Sequence, residues 1–179
     1  MIIGLTGPIA AGKDTVAKIL KKHGAIVIDA DKLAHTLYSP EVLKVFGTIN
    51  RKKLGAIVFA DKKKLRLLNQ IIHPALKKKI ESLLSNLTPS AYGLKPFIVI
   101  NAAVLKEIGL TELVDKVWVV VAPKAVRLQR LMAKGLTKQE ALLRINSQRS
   151  QKDYLKAADV VIDNSGTKKE LDGQIRASL

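Results

Sequence analysis

Gly7-Pro8-Ile9-Ala10-Ala11-Gly12-Lys13-Asp14-Thr15 is a glycine-bounded stretch closed by a lysine and two oxygen-bearing side chains. That combination suits the phosphates of a nucleotide. A loop of this kind turns backbone N–H groups inward, the helix behind it adds positive partial charge, and the lysine reaches the β/γ oxygens. Gly7 and Gly12 fit a loop that needs positive φ and close backbone approach. Ala10 and Ala11 still offer N–H groups there, whereas Pro8 has none. The spacing follows G-x-x-x-x-G-K, after which Ser or Thr normally presents a hydroxyl to magnesium. Here Asp14 takes that place and Thr15 follows, so both are candidate Mg2+ ligands.

Further candidates lie after later apolar runs. Asp29-Ala30-Asp31 follows Ile26-Val27-Ile28, and ligands of open α/β sheets gather beyond the carboxyl ends of strands. A carboxylate there accepts or orients a hydroxyl proton; Asp31 is equally a candidate N-cap. Asn101 ends the next run, where P-loop enzymes often hold a metal-bound water; it brings hydrogen bonds without charge and is also a candidate cap. Arg127, Arg130, Lys134, Lys138, Arg144 and Arg149 flank a turn at Gly135. Together they read as a lid that closes on phosphates and offsets transition-state charge. His73 precedes Pro74 within a helical stretch, where a lone histidine is usually a structural hydrogen-bonding group.

The elements that position these groups alternate. Apolar, β-branched runs at Ile2–Thr6, Ala25–Ile28, Phe97–Ile100, Val117–Val121 and Val160–Ile162 read as strands covered on both faces. Thr15–Lys22, Lys124–Ala133, Lys138–Gln148 and Lys168–Ala177 read as helices between them, so the chain is α/β with parallel strands. Asp31–Leu37, Val42–Phe46, Lys52–Phe59 and Lys62–Leu87 form a helical insertion between the second and third strands, with Pro40, Gly47 and Pro74 as interruptions. Asn86–Pro96 is the clearest loop.

The 179 residues fit one domain with an insertion. Without cysteine there is no disulfide, thiolate metal site or thiol nucleophile. The longest apolar runs are strand length, too short to span a bilayer. With a first strand beginning at Met1, the expectation is a cytoplasmic protein without membrane attachment. Net charge is +16, and Lys44–Lys79 holds eleven basic residues against the single acid Asp61. Such a field draws polyanions, although a solvated helix face explains it as well. Few aromatics are interleaved with these charges, so nucleic acid is not the expected partner.

In order along the chain, several segments resemble the dephospho-coenzyme A kinases, a family of P-loop kinases. They are Ile3–Gly7 with Gly12-Lys13, Ile28–Asp31 with Ala34-His35, Leu54–Phe59, Ile72-His73-Pro74, Leu113–Val117, Arg130–Met132, Arg144 with Gln148, and Ala158–Gly166. The resemblance implies a three-layer P-loop kinase fold with a five-stranded parallel sheet, a helical insertion after the second strand and a lid after the fourth. It divides the chain into a nucleotide-binding core (1–30, 95–125 and 157–179), an acceptor domain (31–94) and a lid (126–156).

It also implies ATP-dependent phosphorylation of the ribose 3′-hydroxyl of dephospho-coenzyme A, with ATP and Mg2+. Lys13, Asp31 and Arg144 would be catalytic. Gly7, Ala10, Ala11, Gly12, Lys13, Asp14, Thr15, Arg130 and Asn164 would lie on ATP. Asp31, His73 and Asn101 would lie on the acceptor. Two positions depart from the family pattern: Asp14 stands where Ser or Thr is usual, and Asn101 where Asp is usual. One reading is compensation, a carboxylate gained at the loop for one lost at the strand. The alternatives are a nucleotide-binding P-loop protein without turnover, or a kinase for another small acceptor such as a nucleoside monophosphate.

Overall fold

The computed structural model describes residues 1–87 and 97–179. Most of the expected Asn86–Pro96 loop lies outside them. Five strands, β1 (Ile2–Thr6), β2 (Ile26–Asp29), β3 (Ile98–Asn101), β4 (Lys116–Val121) and β5 (Val160–Asp163), form one sheet in the order β2-β3-β1-β4-β5. Every pairing is parallel. The register sets Leu5 and Asp29 against Asn101, and Val121 against Asp163, so the strands' carboxyl ends form one edge. β1 is central, and its loop opens mid-edge.

Alternate residues along each strand feed opposite faces. On one face, Ile3, Leu5, Val99, Trp118, Val120 and Ile162 pack with α1 (Lys13–Lys22) and α9 (Lys168–Ser178). On the other, Ile98, Ile100, Val117 and Val119 pack with α2 (Ala30–Thr36), α3 (Pro40–Phe46), α4 (Arg51–Ala60), α5 (Lys62–Asn86) and α8 (Gln151–Leu155). The outer strands are covered less fully than expected, since Ile26 and Val161 are exposed at the sheet's two edges. Among the described residues no helix is long and apolar enough to cross a membrane.

Several sequence expectations change. Pro74 does not interrupt its helix: α5 runs unbroken from Lys62 to Asn86. A proline removes one backbone hydrogen bond, but Leu68, Ile72, Leu76 and Ile80 continue a buried stripe at four-residue spacing across it. Pro40 starts α3 instead of breaking it, because the first helical position needs no N–H donor. Asp31 is not the α2 cap; Asp29 is, accepting from Lys32 N at 3.0 Å. The helix expected to reach Gln148 stops at Asn146 as α7 (Lys138–Asn146), and a separate α8 follows. Its N-cap is Ser150, whose side chain accepts from Asp153 N.

Candidate active site

The loop after β1 holds three residues at positive φ. Gly7 has φ 146° and passes so close to β4 that a Cβ would meet the Val120 carbonyl. Gly12 has φ 102°, and a Cβ there would run into the Asn164 amide. Ala10, at φ 60°, is the one non-glycine residue of this kind among the described residues. A side chain in that conformation costs about 1–2 kcal/mol, so neighbouring contacts must hold it.

Those contacts come from far along the chain. Arg130, on α6 (Lys124–Met132), donates through one nitrogen to the carbonyls of Ala10 (3.1 Å) and Ala11 (3.0 Å). Its other terminal nitrogen donates to the Asn164 carbonyl at 2.7 Å. Asn164 Nδ2 donates to the Ala11 carbonyl at 2.8 Å, and Gln148 Oε1 accepts from Ile9 N at 2.6 Å. Ile9 and Ala10 also rest on an apolar cluster of Leu131, Ala141 and Ile145 from the α6–α7 hairpin. The loop is therefore framed on its outer side. Gly12 supplies no capping side chain to α1, and the Thr15 N–H returns to the Gly12 carbonyl, so the Lys13 and Asp14 N–H groups are the first-turn donors left for an anion.

Lys13 Nζ lies 3.5 Å from the Gly7 carbonyl. Burial lowers its pKa, against the opposing pull of Asp31, Asp14 and Asp29, in that order. Asp31 is displaced upward, first by burial and then by the nearby Asp29 and Asp14; Lys13 and the Ala103 N–H oppose this. The Ala103 N–H donates to Asp31 Oδ1 at 3.2 Å. On its other side the Ala103 carbonyl accepts from Thr6 Oγ1 and Tyr154 Oη, each at 3.3 Å. The Tyr154 phenol is pushed up to about 12, mainly by burial, so it stays protonated and keeps donating.

Asn101 is 2% exposed at the end of β3. Its Nδ2 donates to Asp14 Oδ1 at 3.1 Å, while its Oδ1 is buried with no partner among the described residues. Asp14 itself is exposed. Thr15 follows it in α1, half-buried, and its N–H returns to the Gly12 carbonyl.

Asp31 also lines a cleft of about 140 Å³ between α2, α5 and the segment after β3. His35, Tyr38, Asn69 and His73 give it polar edges, over a floor that includes Ile72 and Val104. His73 Nδ1 sits 3.1 Å from the Glu107 carbonyl. A carbonyl only accepts, so Nδ1 carries the proton. Burial lowers the His73 pKa and favours the neutral ring. In that tautomer Nε2 is left as an acceptor.

Of the candidate site residues, the structure brings Lys13, Asp14, Asp31 and Asn101 into one neighbourhood. Gly7, Ala10, Ala11, Gly12, Arg130 and Asn164 belong to the loop and its frame. His73 shares the cleft with Asp31. Arg144 stands apart: it is exposed on α7, with its guanidinium carbon 5.8 Å from the Phe59 ring centre on α4. The sequence reading missed the roles of Gln148, Ala103 and Tyr154. A lone Ala and Tyr carry no spacing signal, since their partners lie 51 to 97 residues away, and Gln148 lies 139 residues from Ile9.

The chain is similar to known proteins over most of its length. The family model described as "Dephospho-CoA kinase" matches residues 1–170. A dephospho-CoA kinase of Carboxydothermus hydrogenoformans is 43% identical over 181 residues, covering 93% of this chain and 86% of that protein. A Thermus thermophilus protein of known crystal structure superposes with a TM-score of 0.82 at 30% identity, covering 99% of this chain and 95% of its own. A dephospho-CoA kinase structure from Campylobacter jejuni gives 0.69 at 29% identity, with 99% and 94% covered.

Proposed function

The chain belongs to the dephospho-CoA kinase family, and from that premise we propose how its own residues divide the work. The enzyme transfers the ATP γ-phosphoryl group to the ribose 3′-hydroxyl of dephospho-CoA, giving CoA and ADP in the last step of coenzyme A synthesis. Residues 1–30, 95–125 and 157–179 take the nucleotide, 31–94 the acceptor, and 126–156 act as a lid. One observation carries this division. Asp31 is electrostatically coupled to Lys13 at the nucleotide loop and at the same time lines the cleft that holds His73.

The Lys13 and Asp14 N–H groups at the start of α1 and the Lys13 ammonium bind the phosphates, and Arg130 with Asn164 keeps the loop in its gripping shape. Asn164 sits beside Gly12, on the nucleotide side. Asp31 accepts the 3′-hydroxyl proton while the ribose oxygen forms a bond to the γ-phosphorus. The bond from that phosphorus to the bridging oxygen of ADP breaks. A raised pKa brings Asp31 closer to what a general base needs near neutrality. The Ala103 N–H fixes which carboxylate oxygen is spent on the protein and which faces the acceptor. His73 Nε2 accepts from the acceptor within the cleft, and Asn101 stands where the two substrates meet. Arg144 moves from Phe59 onto the transferring phosphoryl group when the lid closes.

A magnesium ion fits this neighbourhood, because the exposed Asp14 carboxylate is an oxygen donor a hard cation takes and Asn101 Oδ1, without a partner among the described residues, is an acceptor for water bound to it. Asp14 and Thr15 would hold it, and it would offset charge on the β/γ oxygens. The test is ADP release from MgATP with dephospho-CoA, AMP or no acceptor. Release that depends on dephospho-CoA is expected. Equal release with AMP would reassign the acceptor, and ATP binding without release would mean that turnover has been lost.

A further inference from the structure

We propose that Asp14 and Asn101 form a divalent-cation site that fills before nucleotide arrives, with the Asp14 carboxylate as direct ligand and Asn101 Oδ1 as acceptor for a cation-bound water. This rests on the nucleotide-site reading above and deepens it. A neutral hydroxyl after the P-loop lysine adds no charge, so the cation there is held largely by the nucleotide's phosphates. Asp14 changes that balance, because the protein itself supplies a negative oxygen.

Three observations support the site. First, Asp14 is exposed, and among the described residues its carboxylate is bonded through Oδ1, to Asn101 Nδ2 at 3.1 Å. Second, that bond fixes the Asn101 amide, since a carboxylate can only accept; the orientation leaves Oδ1 buried, in a residue 2% exposed, with no partner among the described residues. Leaving such an oxygen unmet costs free energy, and a cation-bound water donating to it would recover that cost. Third, the local charge admits a cation. Lys13 feels Asp31, Asp14 and Asp29, but Asp29 is already matched by Lys32 at 2.8 Å. One ammonium therefore faces two carboxylates, with the exposed Lys134 adding positive charge from the lid side. Among the described residues no three His, Cys, Asp or Glu side chains gather as a metal cluster. The remaining ligand positions go to water, as magnesium-type ions prefer.

The competing explanation is that Asp14 only complements the helix N-terminus, which acids in the first turn do. Manganese binding to the full, nucleotide-free chain separates the two, read as loss of the free-ion electron paramagnetic resonance signal with Mg2+ as competitor. One site per chain is expected, displaced by Mg2+. Asp14→Asn keeps the side chain's shape and should weaken the site at least about tenfold, as should Asn101→Ala through its water contact, by about the same factor. Circular dichroism melts confirm that each variant is folded. No manganese binding by the native chain, or unchanged binding in folded Asp14→Asn, would overturn the proposal. If that happens while MgATP still phosphorylates dephospho-CoA, the kinase assignment stands and only the pre-filled cation site falls.

Discussion

Replacing Arg130 by alanine should loosen the nucleotide loop more than it alters the chemistry. Arg130 makes three contacts to backbone carbonyls, on Ala10, Ala11 and Asn164, at 2.7 to 3.1 Å. A hydrogen bond from a charged donor is worth about 1.5–3 kcal/mol where water cannot replace it. Here the side chain is half-buried, so water restores part of that, and the Ala11 carbonyl keeps its bond from Asn164 Nδ2. The net loss is therefore about 2–4 kcal/mol, which lowers Tm by roughly 5–12 °C for a domain of this size. Ala10 adds a second consequence. Its φ of 60° is held against an intrinsic preference, so the freed loop relaxes away from the gripping shape and ATP binding weakens about tenfold or more. Thermal melts and ATP titrations of Arg130→Ala and Arg130→Lys read both effects. Lysine cannot span three carbonyls and should recover less than half of the loss. Should Arg130→Ala melt like the native chain while kcat collapses, Arg130 serves the phosphates and not the loop.

The other expectations follow from the same contacts. Ala10→Gly removes the left-handed strain but adds unfolded-state freedom, so it should stabilise the chain by about 0.5–1 kcal/mol in denaturant melts. Asp31→Asn should cost about 10²- to 10⁴-fold in kcat with ATP affinity retained. In the native enzyme kcat/KM should fall as pH drops through a value above the ordinary aspartate range, because Asp31 works only when ionised and burial raises its pKa. A fall centred at or below that range would exclude it as base. Arg144→Ala should lower kcat about 10²-fold with little change in acceptor KM. Phe59→Ala removes only an exposed cation–π contact worth about 0.5–1 kcal/mol, and equal losses in the two variants would deny Arg144 a phosphate role.

The sheet was legible because its physics is local. Runs such as Phe97–Ile100 and Val117–Val121 are apolar at every position, as strands buried on both faces must be, and each lies within a residue or so of β3 and β4. Lys13 and the loop glycines were legible through spacing. Features set by contact across the fold were not. Nothing in Ile71-Ile72-His73-Pro74 announces that packing carries α5 through the proline. Asp31 reads as a cap until the chain's path leaves it facing Ala103, 72 residues away, and gives the cap to Asp29. α8 lay hidden because Ser150–Ala157 has too few apolar residues for a period to emerge. Asn101 was read correctly as uncharged, but its bond to Asp14 spans 87 residues and could not be inferred from either position alone.

The most direct test of the account is a product measurement on the native chain beside Asp31→Asn, each given MgATP and dephospho-CoA. Phosphorus NMR should show a new ribose 3′-monophosphate formed in equal amount to ADP by the native enzyme, while the variant binds both substrates and makes almost none. Native chain that forms ADP without the 3′-monophosphate, or Asp31→Asn that forms it at the native rate, would contradict the account.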